Sequence, residues 1–510
     1  MSFRPTRLFA GCRPEVAAGP HGRILAVGAA AREAAGADAD VEELRGRTLP
    51  GLADAHIHLE SLARLKLEVD LAGSPSLDHA LARIRKCAAT LPPDAWVMGR
   101  GWYNDVWPDA RFPDRRSLDD AVAGRPALLL RKDGHSGWVS SAALAVAAIT
   151  RETPNPPGGV IDRDPDGEAS GIVRENAVQA VQRCIPRPSD EQLDAAMAAT
   201  LRDLARRGLT SVHSMDTPVA FASLSRLRAR RPLPLRVSYN LPAQRLEHAE
   251  HLGIHSRLGD DRLRIWGVKA FLDGSLGSRT AEMVDGSGVP VLAQPELVEL
   301  ARRCATAGLN LCLHAIGDGA VRRALDALEP LAGIWPGWRP RIEHAQCVDP
   351  ADVPRFRRAG VVASMQPIHA VTDRDLADRE WGERTRHAYA WRALLNAGAV
   401  LAFGSDAPVE SADPLLGIDA ATAWRRRAGW HPHLALTEAQ ALRAYTWGAA
   451  YAAGMEDRLG GLRPGMLCDL TLIRDGRVTA TVVGGQLTWR ERSSAIPTAR
   501  APSKVRLPAL

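Results

Sequence analysis

Short apolar runs alternate along the chain with longer stretches in which apolar positions recur every third or fourth residue. The first pattern reads as buried strand, the second as amphipathic helix. Their regular alternation argues for an α/β fold built on a parallel sheet. The candidate strands are residues 49–58, 209–213, 235–239, 265–271, 309–314, 340–344, 360–365 and 399–406. Eight is the number that closes a (β/α)8 TIM barrel. Most gaps between them are ~25–60 residues, enough for a helix and its loops. The gap after the first strand is about 150 residues, far more than a crossover needs. It holds strand-like pieces of its own, 95–99 and 126–130, and ends in a Pro/Gly-rich stretch.

That gap reads as a subdomain inserted after the first barrel strand and standing over the barrel mouth. The two chain ends form another pattern. Residues 22–28 read as a short strand, and 469–473 and 478–483 alternate as a hairpin around Arg474-Asp475-Gly476-Arg477. Chain termini often lie close together, so a small β-sandwich domain formed by both ends is expected. The expected division is 1–50 for the N-terminal part of the β-sandwich, 51–72 for the first barrel strand and 73–190 for the insert. The rest of the barrel follows at 191–452, the C-terminal part of the β-sandwich at 453–492 and a flexible tail at 493–510.

Composition narrows the function classes. The chain has 510 residues, 45% hydrophobic and 24% charged, as in an ordinary soluble protein. No apolar run reaches the ~18 residues of a membrane span. Ala10-Gly11-Cys12 resembles a lipoprotein cleavage site, but the apolar stretch before it is too short for a signal peptide. A cytoplasmic protein is expected. The seven cysteines are dispersed, with no Cys-x-x-Cys pair, which suits reduced thiols. Net charge is +6, yet only five of the 65 basic residues are lysine: Lys66, Lys86, Lys132, Lys269 and Lys504. With so much alanine and glycine, this reads as compositional bias. Arg425-Arg426-Arg427 and the basic run at 226–231 fall on helix-like segments, so solvated faces are expected and nucleic acid is not.

The chemistry lies at the strand ends, where barrel active sites are built. His56 and His58 are two residues apart, so in a strand both imidazoles face one side. Later strands end in His314, His344 and Asp406. Each has a plain alternative: a lone histidine in an apolar strand is more often a hydrogen-bonded core residue, and Asp406 alone could cap a helix. Their coincidence at separate strand ends argues instead for a metal site. Lys269 stands out because the chain uses arginine almost everywhere else. It sits in an apolar run, where an ammonium loses its proton readily. A neutral amine can add carbon dioxide and become an anionic oxygen ligand able to bridge two metals. The alternative is a buried pair with an acid such as Asp273.

The order of motifs resembles the amidohydrolase superfamily, in its amidohydrolase 3 or YtcJ-like group, which includes N-substituted formamide deformylases. The matching segments are Gly51-Leu52-Ala53-Asp54-Ala55-His56-Ile57-His58, Lys269-Ala270-Phe271-Leu272-Asp273-Gly274-Ser275, His314-Ala315-Ile316-Gly317-Asp318, Arg341-Ile342-Glu343-His344-Ala345-Gln346 and Gly404-Ser405-Asp406-Ala407-Pro408. The resemblance runs from about residue 22 to 490 and is specific in its combination. It implies two divalent metal ions, usually zinc. His56, His58 and Asp406 are implied to hold one, and His314 and His344 the other. Carboxylated Lys269 and a hydroxide are implied to bridge them. Asp406 is implied as the catalytic acid–base group, with Asp54 and Glu343 supporting the ligands from behind.

Two segments depart from the family pattern without touching a ligand: Gly134-His135-Ser136, where an asparagine is common, and Cys468-Asp469. Cys312 shares the face of His314 and reads as a small core residue. Candidates for substrate contact are Arg279, His135 and Trp102. A surface ion pair for the arginine and aromatic packing for the tryptophan stand beside that reading. His213 could reach the site but is not taken as a ligand. The loop from Gly274 to Ser278 lacks the ending of a nucleotide-binding P-loop.

The expected function is metal-dependent hydrolysis of a small molecule at a non-peptide C–N bond: an amide, N-formyl or N-acyl group. Alternatives are ester or phosphotriester hydrolysis at the same centre, or a non-catalytic relative. No nucleic-acid or membrane partner is expected. Oligomeric state stays open, a homodimer included.

Overall fold

The computed structural model describes residues 5–132 and 134–491. The expected tail at 493–510 lies outside the described residues. Packing divides the chain into two units. Of the described residues, the first comprises 5–57, 202–214 and 234–491; the second comprises 58–132, 134–201 and 215–233.

The first unit contains eight parallel strands in sequence order: β1 Leu52–Ile57, β2 Leu209–Ser214, β3 Arg236–Pro242, β4 Leu263–Phe271, β5 Asn310–Ala315, β6 Arg341–His344, β7 Val362–Met365 and β8 Val400–Phe403. Each is hydrogen-bonded to the next. Nearly every residue of β1, β4, β5, β6 and β7 is buried. Burial on both faces explains why these strands read as continuous apolar runs rather than alternating ones.

The seam between β8 and β1 is closed differently. The N–H of Asp406 donates to the His56 carbonyl at 2.8 Å. Asp54 accepts from the N–H of Ser405 at 3.0 Å and from its hydroxyl at 2.5 Å. Gly404 makes this approach possible: a Cβ there would lie 2.4 Å from the His56 nitrogen and 2.7 Å from the Asp54 carboxylate. The barrel is thus pinned shut beside two candidate ligands.

The predicted first strand proves to be two. Asp40–Pro50 belongs to another sheet and Leu52–Ile57 to the barrel, with Gly51 between them. Gly51 presses on Thr210, where a Cβ would lie 2.3 Å from the hydroxyl oxygen. The apolar run is unbroken because both segments are buried at the join, so periodicity alone does not show the change of sheet.

Both chain ends build that other sheet. Its seven strands run, in spatial order, Gln486–Arg490, Arg477–Val483, Leu470–Arg474, Asp40–Pro50, Arg7–Arg13, Val16–Ala18 and Ile24–Val27. The predicted hairpin is present, with Arg474 opposite Arg477. Asp475 and Gly476 both have positive φ, 51° and 71°, as a two-residue type I′ turn requires. One face of the sheet covers a core of Phe9, Val16, Ile24, Leu470, Leu472 and Val482.

The second unit carries a six-stranded mixed sheet: Gly159–Arg163, Ala169–Glu175, Ser136–Val139, Ala127–Arg131, Val97–Trp102 and Val69–Asp70. Successive residues serve opposite faces. Leu129 joins Trp102, Trp138 and Ile172 in one core, while Leu128 joins Val139, Val173 and Val181 in the other.

Candidate metal centre

The candidate ligands gather where the strands of the barrel end. His56 is the penultimate residue of β1, His314 of β5, and His344 closes β6. Lys269 lies two residues before the end of β4, and Asp406 three beyond β8. Parallel register sets His344 level with Ala315, and His314 level with Phe271. The imidazole centroids of His56 and His344 are 4.8 Å apart, and those of His344 and His314 are 4.6 Å apart. His58 follows directly on β1, as the first residue of the second unit, and is held by the peptide chain close to His56. One ligand atom from each of His56, His58 and Asp406 falls within 4.8 Å of the others.

The hydrogen bonds fix which nitrogen each histidine can offer. His56 Nδ1 lies 2.7 Å from Glu343 Oε2. Burial pushes the Glu343 carboxyl up, but Arg341 and then His56 outweigh it and hold it below the usual carboxylate range. An ionised Glu343 can only accept, so Nδ1 carries the proton. Burial, aided by the Lys269 charge, brings His56 down to about 4. At neutral pH its Nε2 therefore presents a lone pair to Asp406 Oδ1, 3.5 Å away. Two electron-rich atoms face each other there, an arrangement that suits a cation between them.

His314 follows the same logic. Its Nε2 donates to the Gly274 carbonyl at 2.9 Å, which leaves Nδ1 as the lone-pair atom. Burial, then Lys269, brings it down to about 3. Asp273 lies 3.5 Å from the same Nε2 and accepts the N–H groups of Ile316, Gly317 and Glu282, so it braces the loops around β4 and β5.

Among the candidate ligands, two buried atoms, His344 Nδ1 and Lys269 Nζ, have no hydrogen-bond partner in the described residues. Lys269 is 4% exposed, with its amine 4.7 Å from the centre of the Phe271 ring. Burial depresses its pKa, opposed by Glu343 and Asp406. Orphaned polar groups of this kind are costly unless something not made of protein satisfies them. Imidazole nitrogens, a carboxylate and a buried lysine amine form a donor set that fits divalent metal ions.

Glu343 is held by Arg341, which is fully buried. Arg341 donates to His213 Nδ1 at 2.8 Å, to Ser364 Oγ at 2.8 Å, to the Ala55 carbonyl at 2.5 Å and to Glu343 at 3.1 Å. His213 thus serves Arg341 as an acceptor. Cys312 bonds Asn240 Oδ1 through its thiol, which burial pushes up to about 12, so it packs as a core residue.

The candidates for substrate contact are dispersed. Arg279 is exposed, has a φ of 56° and pairs with Glu380 at 3.1 Å. His135 is exposed and pairs with Glu175 at 3.0 Å. The Trp102 indole is fully buried in the second unit's core and donates to the Leu129 carbonyl at 2.7 Å.

One residue at the site escaped the sequence reading. His369 opens the helix His369–Trp381, four residues beyond the end of β7. It is buried, with Nε2 3.3 Å from Asp406 Oδ2 and Nδ1 3.9 Å from Glu410 Oε1. Burial alone lowers its pKa, but Asp406 outweighs this and raises it. The one available signal was a histidine just past a barrel strand, in Gln366-Pro367-Ile368-His369. It went unused because the strand's apolar run stops at Met365.

A parallel barrel with buried histidines, a buried lysine and an aspartate at its strand ends is the architecture of metal-dependent hydrolases. The amidohydrolase family profile matches residues 40–489, and the chain belongs to that family. It is 29% identical to a putative amidohydrolase YtcJ of Bacillus subtilis, over 87% of this chain and 89% of that one. It is 28% identical to an N-substituted formamide deformylase of Arthrobacter pascens, over 93% of this chain and 94% of that one. Among solved structures, an uncharacterized metal-dependent hydrolase from Pyrococcus furiosus superimposes with a TM-score of 0.76 at 30% identity, covering 92% of this chain and 99% of that one.

Proposed function

We propose that this protein hydrolyses a non-peptide C–N bond of a small molecule, an N-formyl or N-acyl amide, with divalent metal ions held by His56, His58, His314, His344, Lys269 and Asp406. The observation that carries the reading is the convergence of histidine and carboxylate ligand atoms at the strand ends, above all His56 Nε2 facing Asp406 Oδ1. The resemblance to an N-substituted formamide deformylase supports the bond type. Zinc is the metal that best suits this mixture of imidazole and carboxylate donors. Bound there, divalent ions supply Lewis acidity: they bring a water's pKa toward neutrality and polarise the carbonyl.

The chain's own residues do the rest. Burial favours the neutral amine of Lys269, which would add its nitrogen to carbon dioxide; an N–C bond forms, a proton leaves to solvent, and the resulting carbamate would supply an anionic oxygen ligand. Glu343 keeps the proton on His56 Nδ1 and so keeps Nε2 available. Asp406 accepts a proton as water adds to the carbonyl carbon. It returns that proton to the nitrogen as the C–N bond breaks, releasing an amine and a carboxylic acid. Arg279, with its fork of donors, is the proposed grip for a substrate carboxylate.

The test is a panel of N-substituted formamides, N-acyl amides, esters and phosphotriesters, compared by kcat/KM. Preference for an amide, abolished in Asp406→Asn, is expected; a phosphotriester preference or an inert panel refutes the bond type. In parallel, protein equilibrated with 13C-labelled bicarbonate should show a carbamate resonance that is absent from Lys269→Met. No difference between the two removes the carbamate from the mechanism.

A further inference from the structure

We infer that His369 is itself a metal ligand, so that Asp406 ties together two ligand groups: His56 with His58, and His344 with His369. The inference rests on the metal-dependent reading of the site and extends it to a residue outside the ligand set expected from the sequence.

Three observations carry it. First, His344, His369 and Asp406 are all buried and offer one ligand atom each within 4.8 Å of the others. His314 belongs to neither compact group of histidine and carboxylate ligands found among the described residues.

Second, Asp406 meets an imidazole nitrogen on each oxygen. Oδ1 faces His56 Nε2 at 3.5 Å and Oδ2 faces His369 Nε2 at 3.3 Å. A hydrogen bond from an imidazolium to a carboxylate closes to about 2.7–2.9 Å. Ligands about 2.05 Å from a tetrahedral zinc lie about 3.3 Å from each other, because a tetrahedron's edge is 1.63 times its centre-to-corner distance. Both contacts have the longer spacing, with the His369 contact still within hydrogen-bond reach.

Third, a carboxylate stands on the outer side of both imidazoles, hydrogen-bonded to His56 and at ion-pair distance from His369. His56 turns Nδ1 to the carboxylate of Glu343 at 2.7 Å. His369 turns Nδ1 toward Glu410 at 3.9 Å, and Glu410 accepts a hydrogen bond from Thr372 at 2.6 Å. A carboxylate behind an imidazole is the usual support for a metal-binding histidine. His344, whose Nδ1 has no hydrogen-bond partner among the described residues, completes the second group.

The rival reading is a protonated His369 that only hydrogen-bonds Asp406. The two separate in Co²⁺-loaded protein. His369→Cys replaces the imidazole by a thiolate; if residue 369 is a ligand, a Co²⁺–thiolate charge-transfer band appears that the wild type, with its own seven cysteines, lacks. His369→Ala is expected to weaken Co²⁺ binding by more than about a hundredfold, beyond the loss of an outer-sphere partner. Circular dichroism of both variants checks the fold, and the cysteine variant retains a ligand where the alanine variant does not. Bound Co²⁺ with no thiolate band, together with unchanged affinity in His369→Ala, overturns the inference while leaving the metal-dependent reading intact. A wild type that binds no Co²⁺ overturns both.

Discussion

Asp406 is where the constraints on this site meet. Its backbone is pinned to β1 by the bond to the His56 carbonyl, its φ is 60°, and its two oxygens face two imidazoles. Residues in the left-handed region carry strain that neighbouring structure must hold, and such strain gathers at functional sites. Here the holding group is Asp54, which takes three donors from His56 and Ser405. Burial outweighs those bonds and brings Asp54 up to about 7. Asp54→Asn keeps the shape but sets an amide N–H₂ against some of these donors. The expected cost is about 1–3 kcal/mol, read by denaturant unfolding. In a double-mutant cycle with Ser405→Ala the coupling should exceed about 0.5 kcal/mol. Additive effects would mean that Asp54 does not hold the Asp406 loop through Ser405. His56, His344 and Asp406 were legible in the sequence because each stands at the end of an apolar run that a strand must bury, and Lys269 because it interrupts one. His369 was not, because its position depends on how a helix starts after β7, which no periodicity encodes.

At the scale of elements, the barrel depends on strands of four to nine residues whose ends align. Their number was readable from the apolar runs. The join at Gly51 was not, since burial is continuous through a change of sheet. The β8–β1 seam is the weak place in the ring, fastened by three bonds and by the close approach at Gly404. Gly404→Ala forces a methyl group against the His56 amide and the Asp54 carboxylate. Overpacking of this kind costs about 1–3 kcal/mol. It should lower thermal stability and, because it acts on both ligand-bearing strands, weaken metal binding as well. An alanine variant with unchanged melting and unchanged metal content would show that the seam is looser than its contacts indicate.

Over the whole molecule, the parallel barrel and the sheet built from both chain ends position a centre made largely of residues distant in sequence. β1 and β8 are separated by most of the chain, yet their ends supply His56 and Asp406. The chemistry therefore depends on the closed fold, and a bound metal should stabilise it in turn, because metal binds the folded state and not the unfolded one. Substrate identity was not legible, since the ligand set bears on the type of reaction and not on which small molecule is bound. The most direct measurement is a metal titration of chelator-stripped protein, following both amide hydrolysis and melting temperature. The expected result is an inactive, folded but less stable apoprotein whose activity and melting temperature rise together and level off at about two equivalents of Zn²⁺. Full turnover by metal-free protein, or Zn²⁺ that binds without restoring any hydrolysis, would contradict it.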